Sequence, residues 1–304
     1  MIEFTLLGTG GSMPMPTRYL SSAILAINGH KILLDCGEGT QVAMRKARTG
    51  FKQIDVICIT HLHGDHIFGL PGLLSTMSNS DRTEDVTIIG PIGIESAVEG
   101  LCATILPLPY KLQIIENPTL EYSFLELATI KTLEVDHTIP CLSYTIELKR
   151  QPKFDVSKAM QNQVPKHLWS QLQKSEEPIK YDGIKYTQDH VLGTPRTGLK
   201  VSFITDTRPT DELITFIKNS DLLLCEGTYG DLANQERAIK NKHLVFEEAA
   251  RLAKDSQVAK LILTHFGTAM LNPESFKENA TSIFSETIIG YDGYQETLMY
   301  QSSE

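Results

Sequence analysis

The 304-residue sequence holds no Cys-x-x-Cys pair; its five cysteines (Cys36, Cys58, Cys102, Cys141, Cys225) stand singly and in odd number. That excludes a disulfide-stapled scaffold and points to buried thiols in a reducing compartment. No apolar run approaches the ~18 residues of a membrane helix. The longest candidates, Val56–Ile59 and Leu222–Cys225, are strand-sized. Met1–Leu7 runs directly into a strand pattern, without a basic segment, apolar stretch and cleavage site. No secretory signal is read there, and a cytoplasmic protein with no membrane partner is expected. Low-complexity tracts and fixed-period repeats are missing as well. Positive charge is in deficit, with 28 Lys and Arg against 37 Asp and Glu for a formal −9. On its face this argues against a nucleic-acid partner. The deficit is uneven, however. Residues 149–200 hold ten Lys or Arg and five Asp or Glu, a local +5 that leaves −14 for the rest.

What is present suffices for a core: 41% of residues are hydrophobic and 21% charged, unlike a disordered or fibrous chain. Short apolar or alternating runs predict strands at Phe4–Leu7, Ala23–Ile27, Lys31–Asp35, Val56–Thr60, Val86–Ile89, Thr129–Val135 and Leu142–Leu148. Helices are expected at Thr40–Arg48, Gly69–Met77 and Ile94–Leu106. After residue 199 the pattern alternates: strands at Lys200–Thr205, Leu222–Glu226, Lys260–Thr264 and Thr287–Gly290, and helices at Thr210–Asn219, Glu236–Asp255 and Pro273–Phe284. Residues 150–195 interrupt this rhythm with four prolines, excess Lys and the only tryptophan, Trp169. They read as a basic arm with a helix or two, inserted into a layered α/β domain.

Thr60-His61-Leu62-His63-Gly64-Asp65-His66 follows the apolar run Val56–Ile59 and places three histidines and an aspartate within six residues. In extended backbone His61 and His63 project to one side and can share a cation. Gly64 allows a turn that sends Asp65 and His66 towards a second. Neutral imidazole and carboxylate are the usual ligands of zinc and related metals. Two metals need more ligands than one loop supplies, and three further strand ends offer them in His137, Asp206 and His265. The two oxygens of Asp206 suit a bridging role. Taken alone, Asp206 could equally cap the following helix, and His137 could simply pack. His243, set on the expected amphipathic helix, would more often be merely half-exposed. Gly8–Gly11 lacks the Gly-Lys-Ser/Thr ending of a phosphate loop and reads as a tight turn. Asp35, at a strand end, suits a carboxylate that orients a ligand histidine.

His61-x-His63-x-Asp65-His66, His137, Asp206 and His265, in this order, resemble the metallo-β-lactamase fold hydrolases. That resemblance implies an αββα sandwich, here a single domain over residues 1–304 carrying the 150–195 arm. It also implies two zinc ions at one edge of the sheets, with Mn2+ or Fe2+ as substitutes. His61, His63 and His137 would hold one ion, Asp65, His66 and His265 the other, with Asp206 between them. Within the superfamily, Gly8-Thr9-Gly10-Gly11 with Pro14, Pro16 and Arg18, Asp35-Cys36-Gly37-Glu38-Gly39-Thr40-Gln41, Phe68-Gly69-Leu70-Pro71-Gly72-Leu73-Leu74 and Thr205-Asp206-Thr207-Arg208-Pro209 resemble the ribonuclease Z family. The implied activity is removal of 3′ trailers from precursor tRNA. Asp65 would be the proton acceptor, and His243 the proton donor with Glu226 orienting it. A homodimer is implied too, in which one subunit's arm helps to hold RNA cut by its partner. Lys149, Arg150, Lys153, Lys158, Lys166 and Lys174, with Lys180 and Lys185, would form the grip.

Two segments depart from the family pattern: Val164-Pro165-Lys166-His167-Leu168-Trp169, where members carry a Gly/Pro-rich hinge, and Gly267-Thr268-Ala269-Met270 after His265. The competing enzyme reading is therefore a phosphodiesterase of small or cyclic nucleotides, or another ester hydrolase on the same fold. A metal-stabilised RNA-binding protein without catalysis is the reading from another class. The complete ligand set, with His243 and Glu226, argues against it.

Overall fold

The computed structural model describes residues 1–117, 119–175 and 177–300. Along the chain its strands are Ile2–Gly8 (β1), Ser22–Ile27 (β2), His30–Leu34 (β3), Ile54–Cys58 (β4), Val86–Gly90 (β5), Leu112–Glu116 (β6), Glu121–Phe124 (β7), Ala128–Glu134 (β8) and Leu142–Leu148 (β9). There follow Ile179–Tyr181 (β10), Ile184–Tyr186 (β11), Leu199–Ile204 (β12), Leu222–Glu226 (β13), Leu261–Thr264 (β14), Thr287–Ile289 (β15) and Gln295–Leu298 (β16). One seven-stranded sheet runs β16-β1-β2-β3-β4-β5-β6, and the other runs β15-β14-β13-β12-β9-β8-β7.

The strand periodicity assigns each face. In β4, Val56 and Cys58 point between the sheets and Ile57 outward, with Ile54 also outward because the β3–β4 register shifts by one residue before Val56. In β13, Leu222 and Leu224 point inward, and Leu223 and Cys225 outward. Both faces are covered, which is why these strands read as unbroken apolar runs rather than alternating ones. Between the sheets, Phe4, Leu25 and Ile32 of the first meet Tyr144, Phe203 and Ile262 of the second. Helices Thr40–Ala47, Leu70–Ser78 and Ile94–Cys102 pack on the outer face of the first sheet. Helices Asp211–Phe216, Phe246–Asp255 and Lys277–Thr281 cover that of the second. The layers are αββα, as the motifs imply.

Five sequence expectations need correction. The strands β6, β7 and β16 were not foreseen; all lie at sheet edges and are only partly buried, so their pattern is weak. The helix beginning at Ile94 stops at Cys102 rather than continuing to Leu106. The third correction is at Pro273–Phe284, which is a 3₁₀ turn over Pro273–Phe276 followed by a short helix. A one-turn helix, Gly64–Ile67, also forms inside the histidine motif. Finally, the helix expected over Glu236–Asp255 breaks in two. Gln235–Asn241 ends at a left-handed Lys242 (φ 56°), and Phe246–Asp255 starts afresh. His243 lies in that break, not on a helix.

Residues 149–198 form a second compact unit. Phe154, Ala159, Val164, Leu168, Trp169, Leu172, Tyr186, Val191 and Leu192 make its core, and the Asp155 carboxylate accepts the Lys158 N–H at 2.9 Å to start a helix. Its β10–β11 hairpin turns through Asp182-Gly183, both with positive φ, as a two-residue hairpin loop requires. Among the described residues, no helix is long and apolar enough to cross a membrane.

The sheets are also joined by hydrogen bonds. The Tyr144 hydroxyl, buried at the centre of the sandwich, donates towards the Ile59 carbonyl at 2.7 Å and lies 3.2 Å from that of Ile89. The Leu142 N–H donates to the Thr60 carbonyl at 2.8 Å. Tyr144→Phe leaves the ring in place but takes the hydroxyl donor from the Ile59 carbonyl, while the Ile89 carbonyl keeps the Ile59 N–H, so it should cost about 1–3 kcal/mol of unfolding free energy in urea titration. A variant as stable as the parent would show that the hydroxyl contributes no net tie.

Candidate metal centre

Topology gathers the site. Strands β12, β13 and β14 run parallel, and β8 runs in the same sense because it is antiparallel to β9, which is antiparallel to β12. Their C-terminal ends therefore share one edge, and His137, Asp206, Glu226 and His265 leave from it. Across the sandwich, β4 delivers Thr60 and His61 to the same place. Asp35 (φ 55°), Asp206 (φ 50°) and His265 (φ 56°) sit in the left-handed region immediately after strands. A residue with a side chain pays about 1–2 kcal/mol there, so the surroundings must hold each in place. The Asp35 N–H is held by the Cys58 carbonyl at 2.8 Å, and the Thr9 carbonyl takes the Phe266 N–H at 2.8 Å, fixing the turn at His265. Asp206 is not a helix cap; the next helix is capped by Thr210, whose hydroxyl accepts the Leu213 N–H at 3.3 Å.

The structure brings all seven expected ligands together in two groups. His61, His63, His137 and Asp206 form one, and Asp65, His66 and His265 the other, with the ligand atoms of each group within 4.8 Å of one another. Asp206 turns one oxygen to each: Oδ2 lies 3.3 Å from His61 Nε2 and 3.8 Å from His137 Nε2. Oδ1 lies 3.2 Å from His265 Nε2 and 3.7 Å from His66 Nε2. Asp65 Oδ2 is 3.3 Å from His265 Nε2 and 3.4 Å from His66 Nε2.

The donor chemistry fits a divalent cation. His66 Nδ1 is 2.7 Å from the buried Asp35 carboxylate and donates to it, so a neutral His66 presents a bare Nε2. The Thr228 hydroxyl gives its proton to Glu226 Oε2 at 2.6 Å and can accept one from His265 Nδ1 at 3.0 Å. His265 Nε2 is then bare as well, and it stands 3.1 Å from His66 Nε2. Two lone pairs facing each other at that distance repel unless a proton or a cation serves both. Without a metal the fields are large. Burial and the neighbouring His66 push His61 down to about 3. His66 rises well above its usual value because Asp206 and Asp35 outweigh its burial. Asp206, whose burial alone would raise it, is held far below the usual carboxylate range by His265, His66 and His61. His66 thus offsets part of the buried carboxylate charge, a task a divalent ion can take over. The cluster is a candidate divalent metal site.

Beside it stand His243 and Glu226. His243 Nδ1 is 3.2 Å from Glu226 Oε2, and its ring centroid lies 5.4 Å from that of His137 and 5.6 Å from that of His265. Burial opposes protonation of His243, but the Glu226 carboxylate outweighs it and lifts the ring to about 9. Glu226 is wholly buried and also accepts the Thr207 N–H at 2.8 Å and the Leu244 N–H at 3.1 Å. Asp35 orients His66, as expected from its strand end, and also accepts the Thr60 N–H at 2.7 Å.

Sequence reasoning missed one contributor and left the role of another, the Gly8–Gly11 turn, open. Thr228 touches Glu226, His243 and His265 at once, but a single hydroxyl two residues after a glutamate carries no signal. The Gly8–Gly11 turn reaches the site itself: the Ser12 N–H donates to Asp65 Oδ2 at 2.5 Å. Any side chain at Gly11 would meet the His265 ring at 2.5 Å, which is the reason for glycine there. The six arm residues lie in the second unit. Lys149, Lys153, Lys166 and Lys174 are exposed and Arg150 is half-buried, whereas the Lys158 ammonium donates to the arm's own Leu192 carbonyl at 2.8 Å.

A family model described as anti-Pycsar protein Apyc1 matches residues 2–107, less than half of the chain. Its span carries Asp35 and His61 to His66 but ends before His137. The solved structure of human tRNase Z, short form, is similar with a TM-score of 0.69 and 24% identity, covering 97% of this chain and 98% of that one. The metallo-β-lactamase fold protein YhfI from Bacillus subtilis gives 0.69 at 19% identity, covering 98% and 100%. At such identities these two speak for the fold. A protein named ribonuclease Z, from Clostridium beijerinckii, is 55% identical over 305 residues, covering 99% of both chains. With the fold, the order of the motifs and kinship along its whole length in agreement, this chain belongs to the ribonuclease Z family.

Proposed function

We propose that this protein is a metal-dependent endoribonuclease that removes 3′ trailers from precursor tRNA, leaving a 3′-hydroxyl on the tRNA body and a 5′-phosphate on the trailer. The observation that carries the reading is the 55% identity to a ribonuclease Z over the full chain. A phosphodiesterase of small or cyclic nucleotides on the same fold is not favoured beside it. Two zinc ions per chain, replaceable by Mn2+ or Fe2+, would be held by His61, His63 and His137, by Asp65, His66 and His265, and by Asp206. Bound there, they would supply Lewis acidity towards the scissile phosphate and a water molecule.

The chain's own groups do the rest. Asp65 accepts the proton of the attacking water, its carboxylate held through Oδ2 by the Ser12 N–H. The departing 3′-oxygen is a poor leaving group and needs a proton. His243 gives it, and Glu226 at 3.2 Å keeps the ring protonated and turned for the transfer. The arm, through Lys149, Arg150, Lys153, Lys166 and Lys174, holds the folded part of the RNA by its phosphates and shape. Lys158 contributes less, its ammonium being engaged by Leu192. The protein acts in the cytoplasm as a homodimer, one subunit's arm serving its partner's site.

Elemental analysis of freshly purified protein should find about two metal ions per chain, as a bridged pair requires. A single ion, together with an Asp206→Ala variant that keeps its activity, would remove the bridging role. Asp65→Ala should abolish hydrolysis even where metal is retained.

His243→Ala should keep both metals and lower precursor-tRNA cleavage by ~10²–10⁴, the usual worth of a positioned acid. The loss should shrink on a nitrophenyl phosphodiester, whose leaving group departs without a proton. Equal losses on both substrates would assign His243 another task.

Replacing residues 152–192 by a short Gly/Ser linker should spare metal content and nitrophenyl phosphodiester hydrolysis while raising KM for precursor tRNA. Wild-type RNA affinity should fall by about 0.7–0.9 log units per tenfold salt for each phosphate neutralised, and the linker variant should show a shallower slope. Unchanged processing by the variant would mean that the arm is not the grip.

A further inference from the structure

His243 lies in a break between two helices, where its N–H closes the first helix on the Ala238 carbonyl at 2.8 Å and its own carbonyl falls outside either helix ladder. Its ring is hydrogen-bonded through Nδ1 and stacks on His265, and a proton donor must stand within a fraction of an ångström of its target. Its backbone is also held by groups outside the dyad. The Arg208 guanidinium, two residues beyond Asp206, donates through Nη1 to the His243 carbonyl. The same guanidinium forms a bidentate pair with Glu248, Nη1 lying 2.9 Å from Oε2 and Nη2 meeting Oε1. Glu248 Oε2 also accepts the Val245 N–H at 3.1 Å, reaching back over the first turn of its helix. On the other side of the break, the Lys242 ammonium pairs with Asp136 at 2.5 Å, and the Lys242 carbonyl accepts His137 Nδ1–H at 3.2 Å. The Arg208 N–H closes the ring of contacts on the Asp136 carbonyl at 3.1 Å. Both side chains of the ion pair are largely buried, 14% exposed for Arg208 and 13% for Glu248. Such a pair is a fixed plane rather than a loose surface contact.

We propose that Arg208 and Glu248 are positioning residues that clamp the backbone of His243, so that the exit loop of Asp206 and the proton donor keep one fixed separation. The inference rests on the reading of His243 as the donor. A lysine at 208 cannot bridge a carboxylate and a carbonyl with one planar fork, so the donor would wander while charge is conserved.

The test uses metal-loaded, full-length protein. Arg208→Lys should lower kcat on precursor tRNA about 10- to 100-fold, the cost of roughly an ångström of misplacement, and leave KM within about twofold. Hydrolysis of the nitrophenyl phosphodiester should stay within about twofold, since the clamp acts only through the donor. Combined with His243→Ala, Arg208→Lys should add no further loss. Glu248→Gln keeps shape and one acceptor and should shift kcat in the same direction, which covers the case of a poorly folding arginine variant. Additive losses in the double variant, or equal losses on both substrates, overturn the clamp. Should His243→Ala itself lose equally on both substrates, the donor assignment is what fails. The clamp is then decided by amide hydrogen exchange over residues 243–246, expected to speed up at least about tenfold in Arg208→Lys and overturning the clamp if unchanged.

Discussion

Asp206 carries a buried charge into the centre of the site and gives each oxygen a separate set of imidazole nitrogens, His61 and His137 on one side, His66 and His265 on the other. Removing a carboxylate from water costs several kcal/mol even after relaxation, and its left-handed backbone adds to that. Both costs are met only if the facing rings, His61 and His66 from the segment after β4 and His137 and His265 from two strand ends of the other sheet, arrive in the right place. The shared carboxylate thus makes the site an all-or-none object. A displacement of either sheet would leave one oxygen unmatched.

That demand explains ties that would otherwise look redundant. Tyr144 and Leu142 fasten the second sheet to the backbone just ahead of His61, so the two faces of the metal group cannot drift apart. Asp35 accepts from both Thr60 and His66, binding the start of the histidine motif to its end. Thr228 does the corresponding work on the far side, joining the ligand His265 to the Glu226–His243 pair through one hydroxyl. The candidate metal groups and the Glu226–His243 pair are therefore parts of one continuous polar network, and polarity so deeply buried is tolerable only when its members are satisfied.

The candidate metal groups were legible because their chemistry sits at strand ends, and strands covered on both faces announce themselves as unbroken apolar runs. Val56–Ile59 before His61 and Leu261–Thr264 before His265 are of that kind. Edge strands are different. Leu112–Glu116 and Gln295–Leu298 keep one side open, so their composition does not separate them from loop. The break at His243 was illegible for another reason. Glu236–Asp255 keeps helical composition throughout, and only long-range partners interrupt it: Glu226 on the Leu244 N–H and Arg208 on the His243 carbonyl. The Asp182-Gly183 hairpin, by contrast, had a readable signal in its dipeptide, overlooked because the surrounding segment lacks strong apolar runs. That segment's core is assembled from scattered single residues such as Ala159, Leu172 and Tyr186, which no periodic pattern reveals.

Charge separates the two tasks this family's substrate sets. The centre concentrates carboxylates (Asp35, Asp65, Asp206 and Glu226 are all buried), and the chain outside residues 149–200 totals −14. A polyanion gains nothing from approaching such a surface. On the proposed reading, attraction would come where cations are concentrated, at the metal groups and over residues 149–200 with their +5. The first would act on the phosphate being cut and be felt most as charge develops there, and so would belong to kcat. The second would act equally before and during the reaction, and so would belong to KM. A site rich in buried carboxylate is in this way compatible with an RNA substrate, provided that grip and chemistry are carried by different residues.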